Sequence, residues 1–129
     1  MRVLVIDDDD ALRSEITEYF RRRDHIVSAC GSVSEAQRTL GQMLGSADPP
    51  DAVICDVRLS DGSGIDFCMS HAQRVPTARW IIMSGGYDHE HVATREGAGA
   101  NLPAFRLVNK PLSLRVLLAS RIHVIHHML

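Results

Sequence analysis

Short apolar blocks punctuate this chain, and stretches with one-sided, helix-like patterning lie between them. RVLVID (2–7) is a continuous apolar run of strand length, the pattern of a strand covered on both faces. From Ala11 to Arg23 the apolar positions are 12, 16, 19 and 20, a helical stripe, and Asp10 is placed to cap its start. HIVSAC (25–30) reads as a second strand. SVSE (32–35) has the serine and glutamate of a capping box and opens a helix through Leu44. GSADPPD (45–51) is a loop, and DAVICD (51–56) is a third strand. A glycine-bearing loop and a helix from Ile65 to Arg74 come next, ended by Pro76. ARWIIMS (78–84) and AFRLVN (104–109) are the fourth and fifth strands. Ser113 caps a last helix with Leu114, Leu117, Leu118, Ile122 and Ile125 along one side. Between the last two strands, DHEHVATREGAGANLP (88–103) holds two glycines, one proline and few large apolar residues, so a fourth helix there is expected to be short or irregular.

Strand and helix in strict alternation predict βαβ units, and therefore a parallel sheet with helices on both faces. Ligand sites of open α/β sheets lie outside the carboxyl ends of the strands, so the residues just past each strand carry the chemistry. Asp7 and Asp8 come after the first strand, Asp56 ends the third, Ser84-Gly85-Gly86 closes the fourth, and Lys110-Pro111 comes after the fifth. The second strand ends in Cys30 and Gly31 and offers little. Three carboxylates, one hydroxyl and one ammonium are thus expected on a single edge.

Composition narrows what that edge can serve. The 129 residues are 45% hydrophobic and 23% charged with a formal charge of −2, the profile of one globular domain with no basic excess, so nucleic acid is not an expected direct partner. No apolar run approaches the roughly 20 residues of a membrane span, and the four apolar residues after Arg2 are too few for a signal peptide. Cys30, Cys55 and Cys68 are odd in number and widely spaced, so the thiols are expected to be reduced and the compartment cytoplasmic. Carboxylates within about 4–6 Å of one another repel unless a cation compensates, and an oxygen-only ligand set suits Mg2+. Lys110 can pair with a phosphoryl oxygen, and the glycines after Ser84 let its hydroxyl approach the same oxygen. No GxxxxGK[ST] phosphate loop and no G-x-S-x-G elbow is present. An aspartate nucleophile attacking phosphorus, with a metal ion and a lysine sharing the charge, fits these groups best.

VLVIDDDDALR, DAVICDVRLSDGSG, IIMSGG and NKPL, in this order and spacing, resemble the receiver domain of two-component response regulators over roughly residues 2–122. The resemblance implies a flavodoxin-like doubly wound (βα)5 fold with a five-stranded parallel sheet in the order 2-1-3-4-5, and a single receiver domain over 1–129 without an output domain. It implies a regulatory phosphoacceptor rather than an enzyme with a separate substrate, although family members catalyse their own Mg-dependent phosphorylation and dephosphorylation. Asp56 would accept a phosphoryl group from a histidine kinase or a histidine phosphotransfer protein, and a second copy of the chain is a further candidate partner. Asp8 and Asp56 would bind Mg2+ directly, Asp7 through water, and the backbone carbonyl of Arg58 would be a further ligand. Ser84 takes the place of the switch hydroxyl and Lys110 that of the family's lysine. A cis bond is expected before Pro111, and Gly64 matches the family's turn glycine. Of the four consecutive aspartates, the first two are read as chemistry, and Asp9 and Asp10 as local structure.

The chain departs from the family pattern at three places. Ser60 stands where proline is usual. Leu107 stands where the switch aromatic is expected, with Phe105 two residues earlier. The 88–103 segment is long and glycine-rich. These spare the phosphorylation chemistry and bear on readout, so a pseudo-receiver that pairs with partners without phosphorylation is the alternative. A metal-dependent phosphatase on a related sheet would place an acid two residues past its nucleophile, where this chain has Arg58. Asp61 reads as a turn residue and Trp80 as core. His123, His126 and His127 share a helical face, and His89 and His91 flank Glu90; solvated surface is the favoured reading for all five.

Overall fold

The computed structural model describes residues 1–84 and 106–109. Five parallel strands form one sheet: β1 (Arg2–Ile6), β2 (Ile26–Cys30), β3 (Ala52–Asp56), β6 (Arg79–Ser84) and β7 (Arg106–Asn109), in the spatial order β2-β1-β3-β6-β7. The two short strands between them in the chain, β4 (Arg58–Leu59) and β5 (Gly62–Ser63), form a separate hairpin. Counting only the five long strands, the order is the expected 2-1-3-4-5. The region of the expected fourth helix, the last helix, the five histidines of interest, Phe105 and the Lys110–Pro111 bond lie outside the described residues.

Alternation along each strand divides the core in two. Val3 and Val5 of β1, Ala52 and Ile54 of β3, and Ile81 and Met83 of β6 face the same side. There they pack with Ile16 and Phe20 of α1 (Asp10–Arg21). Leu4, Ile6, Val53, Cys55, Trp80 and Ile82 face the other way. They meet Ala36 and Leu40 of α2 (Val33–Gly45) and Ile65, Phe67 and Cys68 of α3 (Gly64–His71). β3 is buried at all five positions, so burial on both faces accounts for a strand that reads as continuously apolar.

The helix starts differ in detail from the sequence expectation. Asp9, not Asp10, is the N-cap of α1: its carboxylate accepts from the Leu12 N–H at 3.1 Å. Asp10 is the first helical residue and pairs with Arg13. Ser32 caps α2 by accepting from the Glu35 N–H at 3.1 Å, but the Glu35 carboxylate accepts from the Gly31 N–H at 3.0 Å rather than closing the box on Ser32. Just past the C-cap of α2, Ser46, Ala47 adopts a left-handed φ of 58°, with the Asp48 N–H on the Met43 carbonyl and the Ala47 N–H on that of Leu44. This is a Schellman closure with alanine where glycine is favoured. The segment expected to be one helix to Arg74 is α3 followed by a 3-10 turn over Ala72–Arg74.

The hairpin fills the loop after Asp56. β4 pairs antiparallel with β5, turning at Ser60 and Asp61. Ser63 then caps α3, accepting from the Asp66 N–H at 3.3 Å.

Candidate functional site

The parallel register carries the acids to one edge. Ile6 is opposite Cys55 and Asp56 is opposite Met83, so Asp7, the residue after β1, comes beside Asp56 at the carboxyl end of β3. One carboxylate oxygen from each of Asp7, Asp8 and Asp56 can be chosen so that all three lie within 4.8 Å of one another. Asp7 is 0% and Asp56 3% exposed, whereas Asp8 is open to solvent.

One bond to β2 and two within its own turn fix Asp7. Its N–H donates to the Cys30 carbonyl at 3.0 Å, its carbonyl accepts from Arg13 Nη1 at 2.8 Å, and its Oδ1 accepts from the Asp9 N–H at 2.9 Å. The chain therefore turns tightly enough after β1 to bring Asp8 over the edge while Asp9 caps α1. Four acids in a row are tolerated because their surroundings differ. Two stand at the edge, one accepts from a helix N–H, and one pairs with Arg13.

Packing fixes Asp56. The Val57 N–H donates to the Met83 carbonyl at 2.8 Å, and the Gly64 N–H donates to the Val57 carbonyl at 2.8 Å. A Cβ at position 64 would lie 1.9 Å from the Asp56 carbonyl oxygen and 2.8 Å from Cys55 Sγ, so only glycine fits there. The Arg58 N–H donates to Asp56 Oδ1 at 3.3 Å, which places the Arg58 backbone beside the carboxylate. Beneath the site, burial and then the charge of Asp56 push the Cys55 thiol well above its usual range, and burial pushes that of Cys68 up to about 12. Both thiols, like Cys30, are free and buried, and act as small apolar side chains.

Ser84 is the last residue of β6 and pairs with Asn109, the last of β7. Their backbones reach the same edge one position beyond Met83, the partner of Asp56. Lys110 comes directly after Asn109 and lies outside the described residues. Two buried carboxylates and one exposed carboxylate, all oxygen donors, suit a hard divalent cation that keeps some of its water, as Mg2+ does.

The sequence profile of the response regulator receiver domain matches residues 3–121. The chain belongs to that family. Among curated relatives, the acid tolerance regulatory protein ActR of Rhizobium meliloti is 30% identical over 120 residues, covering 93% of this chain and 57% of the relative. The DNA-binding transcriptional activator DevR/DosR of Mycobacterium tuberculosis is 29% identical over 103 residues, covering 78% of this chain and 45% of the relative. The receiver described here thus spans about half the length of such relatives. A CheY-like receiver domain protein of Methanospirillum hungatei superposes with a TM-score of 0.74 at 19% identity, covering 98% of this chain and 94% of that one. A receiver domain protein of Clostridium thermocellum gives 0.72 at 24% identity, with the same two coverages. These likenesses establish the flavodoxin-like fold and place the receiver in two-component signal transduction, in which receiver domains partner with histidine kinases. Among the described residues no helix is long and apolar enough to cross a membrane.

Asp61, read as a turn residue in the sequence, does more than turn. Its carboxylate accepts from the Val33 N–H at 2.7 Å, the Ser34 N–H at 3.1 Å and the Ser34 hydroxyl at 2.8 Å. Those bonds to the backbone and hydroxyl of α2 hold its carboxyl below the usual range. The signal for this contact is faint: the capping serine, Ser32, leaves the N–H groups of Val33 and Ser34 for another acceptor, and nothing local says which residue provides it.

Proposed function

We propose that this receiver accepts a phosphoryl group on Asp56 in a Mg2+-dependent step, in a histidine-to-aspartate phosphorelay, and that the modification switches its partner interactions. The observation that carries the reading is the convergence of the Asp7, Asp8 and Asp56 carboxylates at the carboxyl edge. Mg2+, held by Asp8 and Asp56 with Asp7 through water and the Arg58 carbonyl, would supply positive charge to the phosphoryl oxygens. The chain's own residues do the rest. An Asp56 carboxylate oxygen attacks phosphorus, an acyl phosphate bond forms, and the N–P bond of the donor phosphohistidine breaks with its electron pair leaving on the imidazole nitrogen. The Arg58 N–H on Oδ1 orients the Asp56 carboxylate. Lys110 pairs with a phosphoryl oxygen, and the Ser84 hydroxyl approaches the same oxygen.

The donor is a histidine kinase or a histidine phosphotransfer protein, and the 129 residues act as one regulatory unit rather than as an enzyme with a separate substrate. Intact-protein mass spectrometry after incubation with acetyl phosphate tests this. One phosphate adduct that needs Mg2+ and is lost in Asp56→Asn is expected. No adduct, under conditions that label another receiver, would favour an interaction module that works without phosphorylation, the reading to which Leu107 in place of the switch aromatic points.

A further inference from the structure

The hairpin that carries Arg58 is tied to the molecule at its root and at its tip. At the root, Gly64 bonds to Val57 and abuts Asp56. At the tip, Asp61 reaches the first turn of α2 through three hydrogen bonds, to the N–H groups of Val33 and Ser34 and to the Ser34 hydroxyl. Gly62 comes close to α2 as well, since a Cβ there would lie 3.1 Å from Val33 Cγ2. An anionic acceptor at a helix N-terminus is favoured by both the unpaired N–H groups and the helix dipole. Arg58 opposes Ser63 and Leu59 opposes Gly62 across the two-residue turn, so a tip fixed on α2 sets where the Arg58 backbone stands against Asp56.

We propose that Asp61 is a positioning residue for the cation site: by clamping the 57–63 hairpin to the start of α2, it holds the Arg58 backbone in place to complete the Mg2+ ligand set. The proposal rests on the reading of Asp7, Asp8 and Asp56 as that site. It gives α2 a direct tie to the site, although none of its residues lies among the three acids.

Calorimetric titration with Mg2+ well below the melting temperature tests it, on the parent, Asp61→Ala, Asp61→Asn, Ser34→Ala and the Asp61→Ala/Ser34→Ala double variant, with Asp8→Asn as the site control. Outer partners of metal sites commonly change affinity by about 10–100-fold. Because this clamp is exposed to water, Asp61→Ala is expected to weaken Mg2+ by about threefold to tenfold. Asn keeps a single acceptor oxygen and should fall between Ala and the parent. Ser34→Ala removes one clamp bond without changing charge and improves helix propensity, so weaker Mg2+ binding there reports position, not lost stability or lost charge. The double variant should match Asp61→Ala alone, and amide exchange across 57–62 should quicken in the same order. An unchanged Mg2+ affinity in Asp61→Ala, beside a lowered melting temperature, would make Asp61 only a cap of α2 and overturn the proposal. Weakening in Asp61→Ala with none in Ser34→Ala would assign the effect to charge and overturn it equally. Parent protein that binds no Mg2+, or Asp8→Asn that binds it as well as the parent, would instead remove the cation site itself.

Discussion

The two turns that build the acidic edge hold their aspartates in opposite ways. In the first, the contacts of Asp7, Asp9, Asp10 and Arg13 with one another and with the start of α1 span at most six residues of sequence. In the second, Val57 is tied to Met83, Asp61 to Val33 and Ser34, and Gly64 is wedged against Asp56. The first turn is mostly a local device, tied to the sheet by the Asp7 N–H on the Cys30 carbonyl, and the second is mostly a tertiary one. The exposed acid, Asp8, belongs to the first turn, while Asp56, the proposed phosphoacceptor, sits where neighbouring strands fix it. A group that must present one oxygen to phosphorus benefits most from that rigidity.

Substitutions should separate the two turns clearly. Gly64→Ala is the largest expected effect. The added carbon has backbone in its way and no flexible side chain to displace, so a loss of about 3 kcal/mol or more is expected, read by urea unfolding. A variant as stable as the parent would mean that the second turn is looser than described. Next comes Mg2+ itself, which should relieve repulsion among the three carboxylates and stabilise the folded state. At a hundredfold excess over Kd the gain is about 2.7 kcal/mol, lost on chelation and strongly reduced in Asp8→Asn. An equal rise in melting temperature in that variant would place the cation elsewhere. Asp9→Ala should cost about 1 kcal/mol by removing a helix cap, with Asp10→Ala costing less; the reverse ranking would restore Asp10 as the cap.

The smallest expected effect is on acid stability. Hydrogen bonds from Val33 and Ser34 hold the Asp61 carboxyl below its ordinary 3.8. The folded state therefore binds this proton less readily than the unfolded chain, and stability falls as pH drops from about 3.8 through the folded value. The Asp61→Asn variant should lose less stability than the parent over that window. Identical acid profiles would show that the tip of the hairpin is not held on α2.

The same contrast decides what the sequence could reveal. Four of the five strands and the faces of the first helices arise from patterns only a few residues long: the continuous apolar run of β1, and the positions 12, 16, 19 and 20 along α1, of which Ile16 and Phe20 are fully buried. The fifth strand is seen over Arg106–Asn109. The convergence of Asp7, Asp8 and Asp56 was legible because each lies at or just past the end of a strand, and parallel strands share an edge. The cap of α1 was missed by one residue because, among four identical acids, local preference has nothing to choose between. The hairpin was missed because two-residue strands have no period. Asp61 was underrated because its partners lie 27 and 28 residues upstream. Patterns report what neighbours in the chain do, and the second turn is made by residues that are not neighbours.

The most direct test of the central claim, that the three carboxylates work as one cation-dependent phosphoacceptor, is the rate of acetyl phosphate labelling against Mg2+ concentration, with peptide mapping of the adduct, for the parent and Asp8→Asn. The expected result is a saturable dependence on Mg2+, an adduct on the peptide holding Asp56, and a half-saturating concentration raised by about an order of magnitude or more in Asp8→Asn. Labelling at the same rate in chelator, or a curve unmoved by the loss of Asp8, would contradict it.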